Sequence, residues 1–99
     1  MLQPTQLEVL GVGPSTLLAG PMENALELAT HLVLFKYSSG AHNVVAVNKV
    51  GYGSCKTPRG ARVYQSGNDQ IKLVKGQNYF ICNYVGHCES GMKIAINAA

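Results

Sequence analysis

Tyr79-Phe80-Ile81-Cys82-Asn83-Tyr84-Val85-Gly86-His87-Cys88-Glu89-Ser90-Gly91-Met92-Lys93-Ile94-Ala95-Ile96-Asn97 decides how this chain is read. Tyr79–Asn83 is apolar and aromatic and reads as a strand. Lys93–Asn97 alternates, with Ile94 and Ile96 on one face, and reads as another. Between them runs a loop that Gly86 and Gly91 allow to fold back on itself. Cys82, His87 and Met92 place a thiol, an imidazole and a thioether along it at five-residue intervals.

Outward from this stretch, Val33–Tyr37, Asn43–Asn48, Arg62–Tyr64 and Gln70–Val74 read as further short strands. Ser38-Ser39-Gly40, Ser66-Gly67-Asn68-Asp69 and Lys75-Gly76-Gln77-Asn78 read as turns, and Gly51, Gly53, Pro58 and Gly60 mark a long irregular connection. Many short strands at regular spacing predict a mainly β fold, a sandwich or a barrel. At 99 residues the chain makes one domain with a modest core, to which a disulfide or a metal is a useful addition. The apolar runs Leu32–Phe35 and Val44–Val47 are too short to span a bilayer. The N-terminus has neither a basic segment nor a continuous apolar stretch, so no secretory signal is expected there.

Charge is unevenly placed. All eight basic residues lie from Lys36 onward, where only Asp69 and Glu89 oppose them. Such a surface favours an acidic partner or an anionic polymer. Nucleic acid is not expected, because the bases form no stripe with interleaved aromatics.

His42, at the start of the Val44–Val47 strand, supplies a second imidazole from elsewhere in the fold. Two His, one Cys and a weakly bound Met form the ligand set of a blue-copper electron-transfer site holding one ion. Thiolate and thioether favour Cu(I), imidazoles suit Cu(II), and a compromise geometry limits rearrangement between them. Coordination also keeps the Cys ionised. Singly, each residue has a plainer reading: a solvated His, a core Met, an inert buried thiol. The combination is what is specific. Structural zinc rarely uses Met, and no Cys-x2-Cys pair is present.

Three cysteines is an odd count, which suggests one disulfide and one thiol with another task. With Cys82 assigned, Cys55 and Cys88 remain. A bond between them would tether the ligand loop to the irregular segment and close about 33 residues, worth roughly 3–4 kcal/mol. Two free thiols are the alternative.

The chain resembles the phytocyanins, and within them the plantacyanin or basic blue protein branch. The matching text is Phe35-Lys36-Tyr37, Ala41 to Val45, Tyr52 to Cys55, Thr57 to Ala61, Ser66 to Leu73, and Gly76 through Cys82 to Asn97. It covers Val33–Ala99 nearly without a gap. The resemblance implies a cupredoxin-like Greek-key sandwich, copper on His42, Cys82, His87 and Met92, and a Cys55–Cys88 disulfide. It also implies that Asn43 steadies the thiolate loop by hydrogen bonding. By the same resemblance the protein is a one-electron carrier and extracellular. The residues show no catalytic constellation, so no enzyme is expected, and a monomer without a membrane span is, with a redox partner of unknown identity that the basic charge makes acidic. The alternative is an extracellular signalling or cell-wall recognition module in which copper is structural or incidental.

Residues 1–32 depart from the family, lacking its opening strand, its Gly-Gly-Trp segment and its Ala-Gly-Asp turn. Asn24–Leu34 has helix-forming composition, and Met1–Gly20 has no clear period. A coding sequence for Gly20–Thr30 exists that, read one base earlier, gives Trp-Pro-Asn-Gly-Lys-Arg-Phe-Arg-Ala-Gly-Asp. One for Gln3–Thr16 gives Ala-Thr-Tyr-Thr-Val-Gly-Gly-Ser-Gly-Gly-Trp-Thr-Phe-Asn. Both resemble the missing family text. The expected organisation is a frame-shifted, irregular or partly helical segment over 1–32 and a phytocyanin-like domain over 33–99.

Overall fold

The computed structural model describes residues 8–10, 17–21 and 32–98. Its strands are β1 (Glu8–Leu10), β2 (Leu17–Pro21), β3 (Leu32–Tyr37), β4 (Val44–Val47), β5 (Val63–Tyr64), β6 (Asn68–Lys72), β7 (Gly76–Ile81) and β8 (Lys93–Ala98), with one short helix, α1 (Lys49–Ser54). They form two four-stranded antiparallel sheets, ordered β1-β2-β3-β6 and β5-β4-β7-β8.

Alternation along the strands sets which side chains meet between the sheets. Val33 and Phe35 of β3 and Ile71 of β6 are buried from the first sheet, with Leu17 and Ala19 of β2. Val44, Phe80, Ile94 and Ile96 face them from the second. Phe35 and Phe80 meet edge to face, with centroids 5.1 Å apart, and pin the sheets together. Full burial of each such side chain contributes about 1.5–3 kcal/mol.

The second sheet is covered on its outer face as well. Val45 and Ile81 point there, into a smaller cluster with Cys88, Tyr52, Cys55 and Ala61. Phe80 and Cys82 therefore point inward while Ile81, between them, points out. A one-residue slip of β7 would exchange the two faces and remove Cys82 from the interior.

Three expectations are corrected. Asn68 and Asp69, and Gly76 to Asn78, read as parts of turns, open β6 and β7, where pairing with β3 and β8 makes strand of them. The connection after β4, read as irregular, begins with α1. Asn48 caps it, its side-chain oxygen accepting from Gly51 N–H at 2.7 Å, and Tyr52 anchors it in the outer cluster. Capping and tertiary packing here override the poor helix propensity of Gly51 and Gly53. Residues 1–32, read as irregular or partly helical, supply β1 and β2. β2 pairs with β3 from Leu17↔Tyr37 to Pro21↔Val33, and this ladder makes a strand of a stretch without alternation. Of the helix-like stretch Asn24–Leu34, Leu32–Leu34 belong to β3, and the remainder lies outside the described residues.

Candidate metal centre

The centre is assembled at one end of the second sheet, from the residues that flank its strands. His42 and Asn43 immediately precede β4, Cys82 immediately follows β7, and Met92 immediately precedes β8. The intervening loop is closed by its own backbone. Cys82 N–H donates to the Met92 carbonyl at 3.0 Å, and Met92 N–H donates to the His87 carbonyl at 3.0 Å. Gly86 and Gly91 take φ of 80° and 102° at its corners, where a side chain would be strained. These bonds draw together three positions spaced five apart in sequence.

The donor atoms converge. His42 Nδ1 lies 3.1 Å from His87 Nδ1 and 3.9 Å from Cys82 Sγ, and His87 Nδ1 lies 3.4 Å from Cys82 Sγ. The three residues are the group able to hold a metal among the described residues. Nitrogen and sulfur donors about 2.0–2.3 Å from one ion stand about 3.5–3.8 Å apart in a triangle, so this triangle fits a single ion. Met92 is buried in the same core cluster as Cys82. The two line one small cleft with Leu17, Phe35, Phe80 and Ile94. One thiolate, two imidazoles and a nearby thioether suit copper rather than a hard, oxygen-seeking cation.

Exposure is graded across the site. His42 and Cys82 are each 1% exposed, whereas His87 is half-buried. Beside His87, Tyr84 tilts against its ring at 5.6 Å, and Val85 is fully exposed. The His87 edge is therefore the face that the centre turns to solvent.

The surrounding hydrogen bonds fix the loops to each other. Asn43 Oδ1 accepts from Asn83 N–H at 2.9 Å, and Asn43 Nδ2 donates to Asn83 Oδ1 at 2.6 Å. Asn83 Nδ2 in turn donates to Thr57 Oγ1 at 3.0 Å. Cys55 is bonded to Cys88, beside His87. The segment after α1 thus grips the ligand loop twice, near Cys82 through Thr57 and near His87 through the disulfide. On the other side of the loop, Lys93 Nζ donates to the Tyr52 carbonyl at 3.1 Å and lies over the Tyr52 ring.

Sequence reasoning did not find Asn83 and Thr57, nor the pairing of half-buried Tyr37 with buried Asp69. One signal for Asn83 was present: an amide residue directly follows both His42 and Cys82. Tyr37 donates its hydroxyl to Asp69 Oδ2. Burial first, and then that carboxylate, push the Tyr37 phenol well above its ordinary value.

A family model described as a plastocyanin-like domain matches residues 29–92. The basic blue protein of Cucumis sativus is 63% identical over 70 residues, which are 71% of this chain and 73% of that protein. The basic blue protein of Arabidopsis thaliana is 54% identical over 70 residues, 71% of this chain and 54% of that protein. The solved structure of cucumber basic protein, a blue copper protein, superposes with a TM-score of 0.70 at 62% identity, over 72% of this chain and 74% of that one. The fold, the converging donors and these likenesses agree: the chain belongs to the plastocyanin-like domain family, among its phytocyanins and beside the basic blue proteins.

Proposed function

We propose that the protein is a one-electron carrier holding a single copper ion on His42, Cys82 and His87, with Met92 as the weak fourth ligand. The convergence of Cys82 Sγ with the two Nδ1 atoms carries this reading. Bound copper supplies the redox chemistry by alternating between Cu(I) and Cu(II). The protein's part is to offer both oxidation states one compromise donor set. The loop bonds, the Asn43–Asn83 pair and the Cys55–Cys88 bond all oppose rearrangement of that set. The half-buried His87, with Tyr84, Val85 and Gly86 around it, is the electron's way in and out. No acid–base pair or activated nucleophile enters this account, which is one of transfer and not of catalysis.

The partner is acidic. Within residues 32–98 the basic residues face Glu89 as the exposed carboxylate, since Asp69 is buried. Opposite charge speeds encounter, and salt screens it. A disulfide is at home in an oxidising compartment, which supports an extracellular setting. Among the described residues no helix is long and apolar enough to cross a membrane. The same basic surface would serve a recognition module, the second reading.

A redox titration of the copper-loaded protein, followed by stopped-flow exchange with anionic and cationic small oxidants, separates the two. A carrier shows a reversible one-electron couple and reacts faster with the anionic oxidant, by a margin that shrinks with salt. A copper centre without a reversible couple, in a protein that still binds its polyanionic partner when copper-free, would favour recognition.

A further inference from the structure

Each candidate histidine ligand is faced by a tyrosine ring, but the two tyrosines are held differently. Tyr84 lies three residues from His87 on the same loop. Tyr37 comes from the opposite sheet, as the last residue of β3, and stands edge-on to His42 with centroids 6.5 Å apart. That spacing lies within the range of a direct edge-to-face contact.

Tyr37 is tied down from three sides. Its backbone N–H donates to the Gly67 carbonyl at 3.0 Å. Its hydroxyl donates to Asp69 on β6 and also lies 3.1 Å from the Tyr64 carbonyl on β5. One phenol thereby spans both sheets. Asp69 is 6% exposed and is itself secured, accepting from the Ser66 hydroxyl at 2.6 Å and from Ser66 N–H at 3.4 Å. A carboxylate is costly to bury, and its cost is offset here by hydrogen bonds that all serve to fix one ring. Because burial and Asp69 keep the phenol protonated, it remains the donor.

We infer that Tyr37, anchored by Asp69, is a positioning residue for His42, holding the buried imidazole with Nδ1 toward Cys82 and His87 before metal arrives. The inference rests on the copper reading above. His87 is carried on the ligand loop, whose backbone bonds fix its place. His42 lies outside that loop, and the Tyr37 ring is a fixed neighbour packed edge-on against its imidazole. The ring supplies the contact, and the hydroxyl supplies the anchor.

The test compares Tyr37→Leu, which removes the ring, with Tyr37→Phe, which keeps it, in copper-free and copper-loaded protein. Tyr37→Leu is expected to lose about 10–100-fold in copper affinity, measured by chelator competition, and to shift the visible copper–thiolate band. Tyr37→Phe keeps the band and most of the affinity, although both variants unfold at lower temperature when copper-free. A folded Tyr37→Leu with wild-type affinity and an unmoved band overturns the inference, as does Tyr37→Phe failing as badly as Tyr37→Leu. Should Tyr37→Leu not fold, NMR of the copper-free wild type decides. One set of His42 ring resonances with cross-peaks to Tyr37 is expected, and a ring sampling several orientations refutes the positioning role. A wild type with no copper–thiolate band at all would count against the copper reading, and the NMR result would still report on Tyr37.

Discussion

The two sheets of this molecule divide its labour. The second, β5-β4-β7-β8, lies wholly within the residues that resemble the family, and every candidate ligand lies next to one of its strands or on the loop that joins β7 to β8. The first, β1-β2-β3-β6, provides no ligand. It provides half of the core, and two of its strands come from residues before the matched 29–92. A donor set depends on local loop geometry, whereas a core needs only apolar volume in the right place. Leu17 and Ala19 meet the second demand without belonging to the family pattern.

If that division holds, damage to the core of the first sheet should cost stability and spare the spectrum, with Tyr37 at the end of β3 the exception. Phe35→Ala removes a ring that is 1% exposed and packed on Phe80, and should cost about 3–5 kcal/mol in denaturant unfolding. The copper–thiolate band of the fraction that stays folded should not move, and a displaced band would mean that the core of the first sheet, beyond Tyr37, shapes the site. Next comes the disulfide. Replacing Cys55 and Cys88 together by Ser opens a crosslink of sequence separation 33 and should cost about 3–4 kcal/mol. Because Cys88 adjoins His87, this loss should be accompanied by weaker copper binding, and stability loss with native affinity would contradict the tether's place in the site.

A smaller effect is expected from exchanging the first thirty-two residues for the alternative-frame sequence, which we propose is the native one. β2 is built of Leu17-Leu18-Ala19-Gly20-Pro21, a poor strand by composition, so the exchange should raise the melting temperature. At this chain length each kcal/mol is worth about 4–8 °C. Equal melting temperatures would show that β1 and β2 build the first sheet as well as the family's own text does. The smallest structural effect belongs to Met92→Gln. It should retain copper and the fold but lower the reduction potential, because an oxygen donor favours Cu(II). An unchanged or raised potential, read by redox titration, would remove Met92 from the ligand set.

The same division governs what the sequence disclosed. The strands from β3 to β8 were legible because Val33/Phe35, Ile71/Leu73 and Ile94/Ile96 alternate and turn residues separate them. The candidate site was legible because Cys82, His87 and Met92 share one loop, and only His42 had to be brought from afar. α1 was hidden by Gly51 and Gly53, since its cap and its packing are tertiary facts. β2 was hidden because its pattern has no period and its strand character comes from pairing with β3. The Tyr37–Asp69 anchor was hidden because its residues lie 32 apart, and neither announces the other.

The central claim is that one copper ion sits on the loops of the second sheet, with Cys82 as its thiolate. Titrating Cu(II) into the copper-free protein while recording the visible spectrum tests this most directly. The account predicts an intense copper–thiolate band that saturates at one equivalent and is abolished by Cys82→Ser. A wild type without that band, or a Cys82→Ser protein that still turns blue, would contradict it.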